Sequence, residues 1–425
     1  MHTLKSQKQI EHLFRHEYGK LVALLLRRTG MQYIDAIEDS VQWAMTQALE
    51  LWCRENTPSK PSAWLYRVAY NHLLSEFRAT KRKDLLLTEY LAIEENNILK
   101  DEDVPFSGEV GDSMLRMLFV ACNEVIPIES QLVFTLKSLC GFSIREIALR
   151  LFITEANVYK RYSRAKQYLK NQPVALDNLT DKEVVARLSL VHRVLYLVFT
   201  EGYLSSHTDM AIRQDLCEEA IRLARLLVDS KFGNVPDSHA LLALMYFHLA
   251  RIKARQDDCG ALLLLEQQNR SQWDSQQTTI AMTFLAQSAN GDTISRYHVE
   301  ASIAAEHCLS PSFNETRWDK IVTSYELLER IAPSPLHQLN RAVATAEWQG
   351  PQAGLAVLQS ANIPNWLNQS YYWYTVQADL LFRCGQTALG KKQAELAIKA
   401  APTDSIKKLL YKRLLIHNID CLDTK

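Results

Sequence analysis

Apolar residues recur every three or four positions along most of this chain, and its few helix breakers fall mainly where the recurrence stops. That period belongs to helices that lay one face on a core. Only 13 glycines and 12 prolines occur in 425 residues. The chain is therefore expected to be all-α. Ile37, Val41, Ala44, Ala48 and Leu51 mark one such face, and a helix beginning near Ala63 carries Trp64, Leu65, Val68, Ala69, Leu73 and Phe77. Pro58 and Pro61 bracket the loop between them, Cys53–Ser62. A chain this long exceeds one core, so about two to four domains are expected.

Charge divides the chain further. Lys+Arg and Asp+Glu balance at 48 each, yet between residues 60 and 170 the two signs fall in separate segments. The segment 60–83 carries six basic and one acidic residue, and the segment 131–170 carries eight and two. Between them, 84–112 carries one basic and nine acidic residues, with Pro105, Gly108 and Gly111, and reads as an acidic linker. Two basic segments separated by an acidic one suit a protein that touches nucleic acid at two places. Residues 172–425 are near neutral, so this longer part is expected to meet protein or itself rather than nucleic acid.

Several classes are set aside. No apolar run reaches the about 20 residues that span a bilayer, and the N-terminus lacks a signal-peptide pattern. The eight cysteines are scattered without a Cys-x-x-Cys pair, which suits reduced thiols in the cytoplasm. No metal-ligand spacing, phosphate-binding lysine loop or catalytic constellation stands out. His192, His239, His248, His298 and His307 are dispersed. Neither cofactor, metal nor enzymatic activity is expected.

The sharpest local motif is a helix-turn-helix. Ser143 is placed to cap the helix IREIALRL, with Ile144, Ile147, Ala148 and Leu151 inward. Phe152-Ile153 make the turn, and Thr154 caps EANVYKRYSRAKQYLK. Val158, Tyr162, Ala165 and Leu169 then face inward, leaving Glu155, Asn157, Tyr159, Lys160, Arg161 and Arg164 outward. Such a helix presents its N-terminal half to the major groove, where Arg, Lys and Asn read base edges. Arg164, Lys166 and Lys170 are expected at phosphates.

The first basic segment interleaves Trp64, Tyr66, Tyr70 and Phe77 with Arg67, Asn71, Arg78, Lys81, Arg82 and Lys83. Aromatic rings stack on unpaired bases while cations hold the backbone. Of these, Trp64 and Phe77 read rather as core.

After Gln172-Pro173, helix-length amphipathic segments follow one another to the end. Tyr374, Ala378, Leu381, Gly385, Ala394, Ala397 and Pro402 fit a tetratricopeptide (TPR) helix pair, with Gly390 where that pattern prefers Ala. Gly350 precedes Gly385 by 35 residues, near the repeat period, and Leu242–Tyr246 fits another part of the motif.

Residues 8–171 resemble the extracytoplasmic-function (ECF) sigma factors, bacterial initiation subunits of RNA polymerase. The segment from Glu38 to Ala44, EDSVQWA, resembles that family's region 2.2. The segment from Trp64 to Asn71, WLYRVAYN, resembles its regions 2.3 and 2.4, and 141–169 resembles region 4.2. The remainder, with LLLLEQQNRSQWD at 262–274 and a second stretch at 335–359, resembles the subgroup with a long TPR-containing C-terminal extension.

The resemblance implies region 2 at 8–83, a linker at 84–112, region 4 at 113–171 and a regulatory extension at 174–425. It implies that Asp39, Gln42 and Trp43 dock on the polymerase β′ subunit. Arg67, Tyr70, Asn71, Arg78, Lys81 and Arg82 would hold the opened −10 element, with the loop Cys53–Ser62 beside Asn71 at a flipped base. Asn157, Tyr159, Lys160, Arg161 and Arg164 would read the −35 element. Expected partners are core polymerase through β′ and β, promoter DNA, and a protein partner of the extension, with no membrane. Two departures stand out: Ser75 replaces a frequent Asp, and Phe152 replaces a frequent Gly. The rival reading is a helix-turn-helix regulator with a TPR sensor that does not join polymerase.

Overall fold

A computed structural model describes residues 17–52, 58–81, 107–151, 153–171, 180–203, 212–257, 263–360, 364–401, 404–411 and 413–414. Among them the regular elements are helices and no β-strand occurs, as the apolar period requires. Residues 8–16, Cys53–Thr57, Arg82 and most of the acidic segment, Phe152 and 172–179 lie outside the described residues.

The chain divides into two compact units. The first comprises Met1–Val198 with Asp229–Phe232, and the second Phe199–Val228 with Gly233–Lys425. The first therefore runs past the boundary expected at 174.

In the first unit, α1 covers 17–29 and α2 Ile34–Trp52. α3 covers Pro61–Lys81, α4 Ser107–Ala121 and α5 Ile128–Phe134. α6 covers Ile144–Leu151, α7 Glu155–Asn171 and α8 Asp181–Tyr203, whose residues to Val198 belong here. α2 buries Ile34, Ile37, Val41, Ala44 and Ala48 and packs on α3, which buries Leu65, Ala69 and Leu73. The expected apolar face of α2 ended at Leu51, but Leu51 is exposed and Trp52 takes its place, packing on Trp64 with centroids 5.5 Å apart. A step of four from Ala48 follows the 3.6-residue turn. α3 starts at Pro61 rather than Ala63, because proline at the first helical position loses no hydrogen bond.

The acidic linker expected through residue 112 is also shorter. α4 begins at Ser107 and includes Gly108 and Gly111. Burial of Met114, Met117, Leu118, Phe119, Val120 and Ala121 outweighs the weak helix propensity of two glycines. α8 belongs partly with this unit because Arg187 Nη1 donates to the Phe119 carbonyl at 3.2 Å.

The second unit holds α9 Gln214–Val228, α10 Pro236–Ala250, α11 Ser275–Ser288, α12 Arg296–Leu309 and α13 Trp318–Ile331. It continues with α14 Pro335–Gln349, α15 Pro351–Ser360, α16 Asn365–Asn368, α17 Tyr371–Arg383, α18 Thr387–Ala400 and α19 Asp404–Tyr411. α10 is buried on every side from Ala240 to Phe247, so it lacks the polar stripe of the others. Two hairpins, α14–α15 and α17–α18, turn at Gly350 and Gly385, both at positive φ. The fourth residue of each second helix is glycine, Gly354 and Gly390. A Cβ at Gly354 would stand 2.7 Å from the Ala342 oxygen, and one at Gly390 would stand 2.8 Å from the Phe382 ring. The Phe382 ring thus occupies the space beside Gly390, where the repeat pattern prefers alanine.

Candidate nucleic-acid interface

The helix-turn-helix forms as its capping residues dictate. The Glu146 N–H donates to Ser143 Oγ at 3.2 Å, and the Ser143 N–H donates to Glu146 Oε2 at 2.8 Å. This reciprocal pair is a capping box. The Asn157 N–H donates to Thr154 Oγ1 at 3.2 Å, starting α7. Val158, Tyr162, Ala165 and Leu169 are buried. Asn157, Tyr159, Lys160 and Arg164 are exposed on the opposite face, and Arg161 is half-buried.

On the other module, Asp39, Gln42 and Trp43 are exposed on α2. Trp43 stacks on His72 of α3 with centroids 4.5 Å apart, which fixes its ring at the surface. Arg67, Asn71 and Arg78 are exposed along α3. Tyr70 is not: it is 4% exposed, with the Arg28 guanidinium 5.6 Å from its ring centroid. Tyr66 is buried beside it, so neither tyrosine offers a face for base stacking in this conformation. Phe77 is core. Neither the side chain of Lys81 nor any part of Arg82 is among the described residues.

The structure joins the two modules through a carboxylate of the EDSVQWA motif, Glu38. Glu38 lies on the buried face of α2 with its side chain 7% exposed. Oε1 accepts from Tyr18 on α1 at 3.3 Å, from Ser138 at 3.3 Å and, in a short bond, from Tyr162 on α7. Lys166 of α7 reaches Oε2 at 3.4 Å. Asp35, one turn earlier and half-exposed, pairs with Lys166 at 2.5 Å and with Lys170. Lys166 and Lys170, expected at DNA phosphates, are thus held by α2 here: the buried Glu38 needs a cation and donors around it, and the half-exposed Asp35 pairs with both lysines.

Electrostatics follow from this arrangement. Burial and then the Glu38 charge push the Tyr18 and Tyr162 phenols well above their ordinary range, so both stay protonated donors. Burial pulls the Lys137 ammonium down, with Glu38 opposing; it sits 4.6 Å from the Tyr18 ring centroid and donates to its hydroxyl at 3.1 Å. Burial also opposes ionisation of Asp35, but Lys166 and Lys170 outweigh it and hold the carboxyl below the usual range.

Close backbone contact accompanies the charges. α5 runs into a π-helical turn, Thr135–Leu139. A Cβ on Gly19 of α1 would stand 2.0 Å from the Leu139 oxygen, so only glycine admits this approach. Two signals pointed here: a carboxylate on an apolar helix face, and a tyrosine among the inward residues of α7.

Among the described residues, no cluster of three or more His, Cys, Asp or Glu is placed to hold a metal ion. No described helix is long and apolar enough to cross a membrane.

Residues 13–83 match the sequence family described as Sigma-70 region 2, and residues 116–169 match Sigma-70, region 4. Residues 187–289 match a family of unknown function, DUF6596. An uncharacterized protein of Rhizobium meliloti (strain 1021) is 32% identical over 377 residues, covering 88% of this chain and 88% of the relative. No solved structure matches. Regions 2 and 4 in order, a helix-turn-helix whose second helix exposes Asn157, Tyr159, Lys160 and Arg164, and a relative similar across the extension as well lead to one conclusion: the chain belongs to the sigma-70 family and is an RNA polymerase sigma factor that carries a helical C-terminal extension.

Proposed function

We propose that this sigma factor is of the ECF type, acts in the cytoplasm without catalysis of its own, and rests in a closed form that must open on polymerase. Asp39, Gln42 and Trp43 bind core polymerase at β′. Arg67, Asn71 and Arg78 hold the −10 strand, joined by Lys81 and Arg82. Tyr70 joins them only if α3 releases it from Arg28. Asn157, Tyr159, Lys160, Arg161 and Arg164 read the −35 duplex. The exposure of Asp39, Gln42 and Trp43 on α2, and of most of the α7 set, supports these roles.

The observation that carries the closed form is the Glu38–Tyr162 hydrogen bond. Elements about 25 base pairs apart are roughly 85 Å apart along B-DNA. α2 has 19 residues and α7 has 17. Laid end to end they reach about 54 Å. Modules held together at Glu38 therefore cannot occupy both elements at once. The extension, read as a TPR-like stack of helical hairpins, regulates this opening and offers a surface to a protein partner.

Run-off transcription on bacterial core polymerase tests the reading. A specific transcript that is lost on Lys160→Ala/Arg161→Ala supports it. Duplex binding by the free protein with no polymerase-dependent transcript would favour a regulator that does not join polymerase. Removing residues 204–425 then gives the sign of regulation: more transcript means restraint by the extension, and less means activation.

A further inference from the structure

The described part of the LLLLEQQNRSQWD stretch, 263–274, unused by the sigma modules, builds an unusual polar cluster in the second unit. Two 3-10 turns, Leu265–Gln267 and Arg270–Gln272, lead to Trp273. Asp274 then closes the segment, its N–H donating to the Ala250 carbonyl at 2.8 Å and its carboxylate capping α11. Trp273 takes two guanidiniums at its ring: Arg251 at 5.1 Å and Arg270 at 4.6 Å from the centroid. Arg270 Nη1 donates to the carbonyls of His307 and Ser310, at the end of α12, at 2.7 and 2.6 Å.

Five polar nitrogens in this cluster are buried with no hydrogen-bond partner in the protein. They are Arg251 Nε, Arg270 Nη2, Trp273 Nε1 and the Nδ1 atoms of His248 and His307. Arg251 is 8% exposed and Arg255 behind it 7%. Arg255 lies over the Tyr203 ring and donates to that residue's carbonyl. Among the described residues no carboxylate forms an ion pair with Arg251, Arg255 or Arg270; the acidic neighbour of Arg270 is Glu315, which accepts from the Ser312 hydroxyl.

Buried guanidiniums without counter-ions are costly, and arginine has donors only. The cost is visible in the neighbours. Burial and then Arg251 and Arg270 drive His307 down to about 3, and burial with Arg251, Arg255 and His307 drives His248 well below its usual range. Burial and the neighbouring guanidiniums press His248, His307 and Arg270 toward neutrality, and an anion would relieve that field. His307 also lines a cavity of about 740 Å³ with Leu264, Leu265, Phe313 and Trp318, giving a route to the cluster.

We propose that Arg251, Arg270, Trp273, His248 and His307 form a site for a small oxyanion, a molecule that bears a carboxylate or phosphate group. Arg251 and Arg270 supply charge, the indole N–H and imidazoles orient the oxygens, and the flat Trp273 ring holds both guanidiniums in place. The site is independent of the polymerase and DNA roles above.

The test uses the full chain at neutral pH and constant ionic strength, with inorganic phosphate and citrate as probes. Thermal unfolding and titration calorimetry are compared for wild type, Arg251→Gln and Arg251→Lys. Arg251→Gln gives the baseline for non-specific salt stabilisation. The expected result is saturable heat and a rise in Tm above that baseline of about 2–4 °C for one anion or both. Arg251→Gln should lose this excess without losing Tm in chloride, because it relieves like-charge repulsion, and Arg251→Lys should keep part of it. Response to phosphate alone or citrate alone identifies the anion class. Parallel rises in wild type and Arg251→Gln with no saturable heat would overturn the proposal. So would a large loss of Tm in chloride for Arg251→Gln without a specific response in wild type, which would make Arg251 a structural partner of Trp273.

Discussion

Glu38→Gln should loosen the two sigma modules without unfolding either. The substitution keeps the shape of the side chain but removes the charge that Lys166 and the Tyr18, Ser138 and Tyr162 hydroxyls surround. Breaking a buried charge pair of this kind costs about 3–5 kcal/mol. Taking the low end, because Gln still accepts some of the hydrogen bonds, about 3 kcal/mol is roughly a hundredfold shift toward the open form. Asp35→Asn serves as the control: its side chain is 51% exposed. Exposed pairs are worth about 0–1 kcal/mol, so less than about fivefold is expected. Hydrogen exchange on the full chain reads both, in peptides from the Thr135–Leu139 turn and from α7. Gly19→Ala offers a second route to the same state, since its Cβ cannot fit beside the Leu139 oxygen. It should raise exchange in the same peptides with no change of charge. If Glu38→Gln and Gly19→Ala leave protection at wild-type levels while the proteins remain folded, the contact does not hold the modules together and the closed resting form is wrong.

Two further outcomes concern the extension. Gly354→Ala should lose about 1–3 kcal/mol in urea unfolding, because its Cβ meets the Ala342 backbone oxygen, which cannot move aside. Gly390→Ala should be closer to neutral, since the half-buried Phe382 ring can yield; equal losses would contradict the packing described. His307 predicts a pH window. Its folded value is held down to about 3, against about 6.5 when unfolded. The neutral imidazole therefore contributes stability that is fully present above about pH 6.5 and is lost as pH falls toward about 3. Thermal scans in chloride should fall across that window, and His307→Gln should flatten part of the slope; an unchanged slope in the variant would exclude His307 as its source.

Local rules account for what the sequence determined alone. Helical period reaches three or four residues, and so do caps. The all-α architecture, the Ser143 and Thr154 caps, the inward set Val158, Tyr162, Ala165 and Leu169 and the exposed Asn157, Tyr159, Lys160 and Arg164 were therefore legible. Tertiary packing decided the rest. It started α4 at Ser107 despite two glycines, and it buried Tyr70 under Arg28 among residues that otherwise face solvent. It also paired Lys166 and Lys170 with carboxylates of α2, Asp35 and Glu38. Glu38 and Tyr162 are separated by 124 positions. The arginines and histidines around Trp273 come from the C-terminal end of α10 and the residue after it, the segment 263–274 and α12, converging only once those elements pack. No period or cap encodes a contact at such separations; burial of a charge selects its partners only after the chain has closed around it.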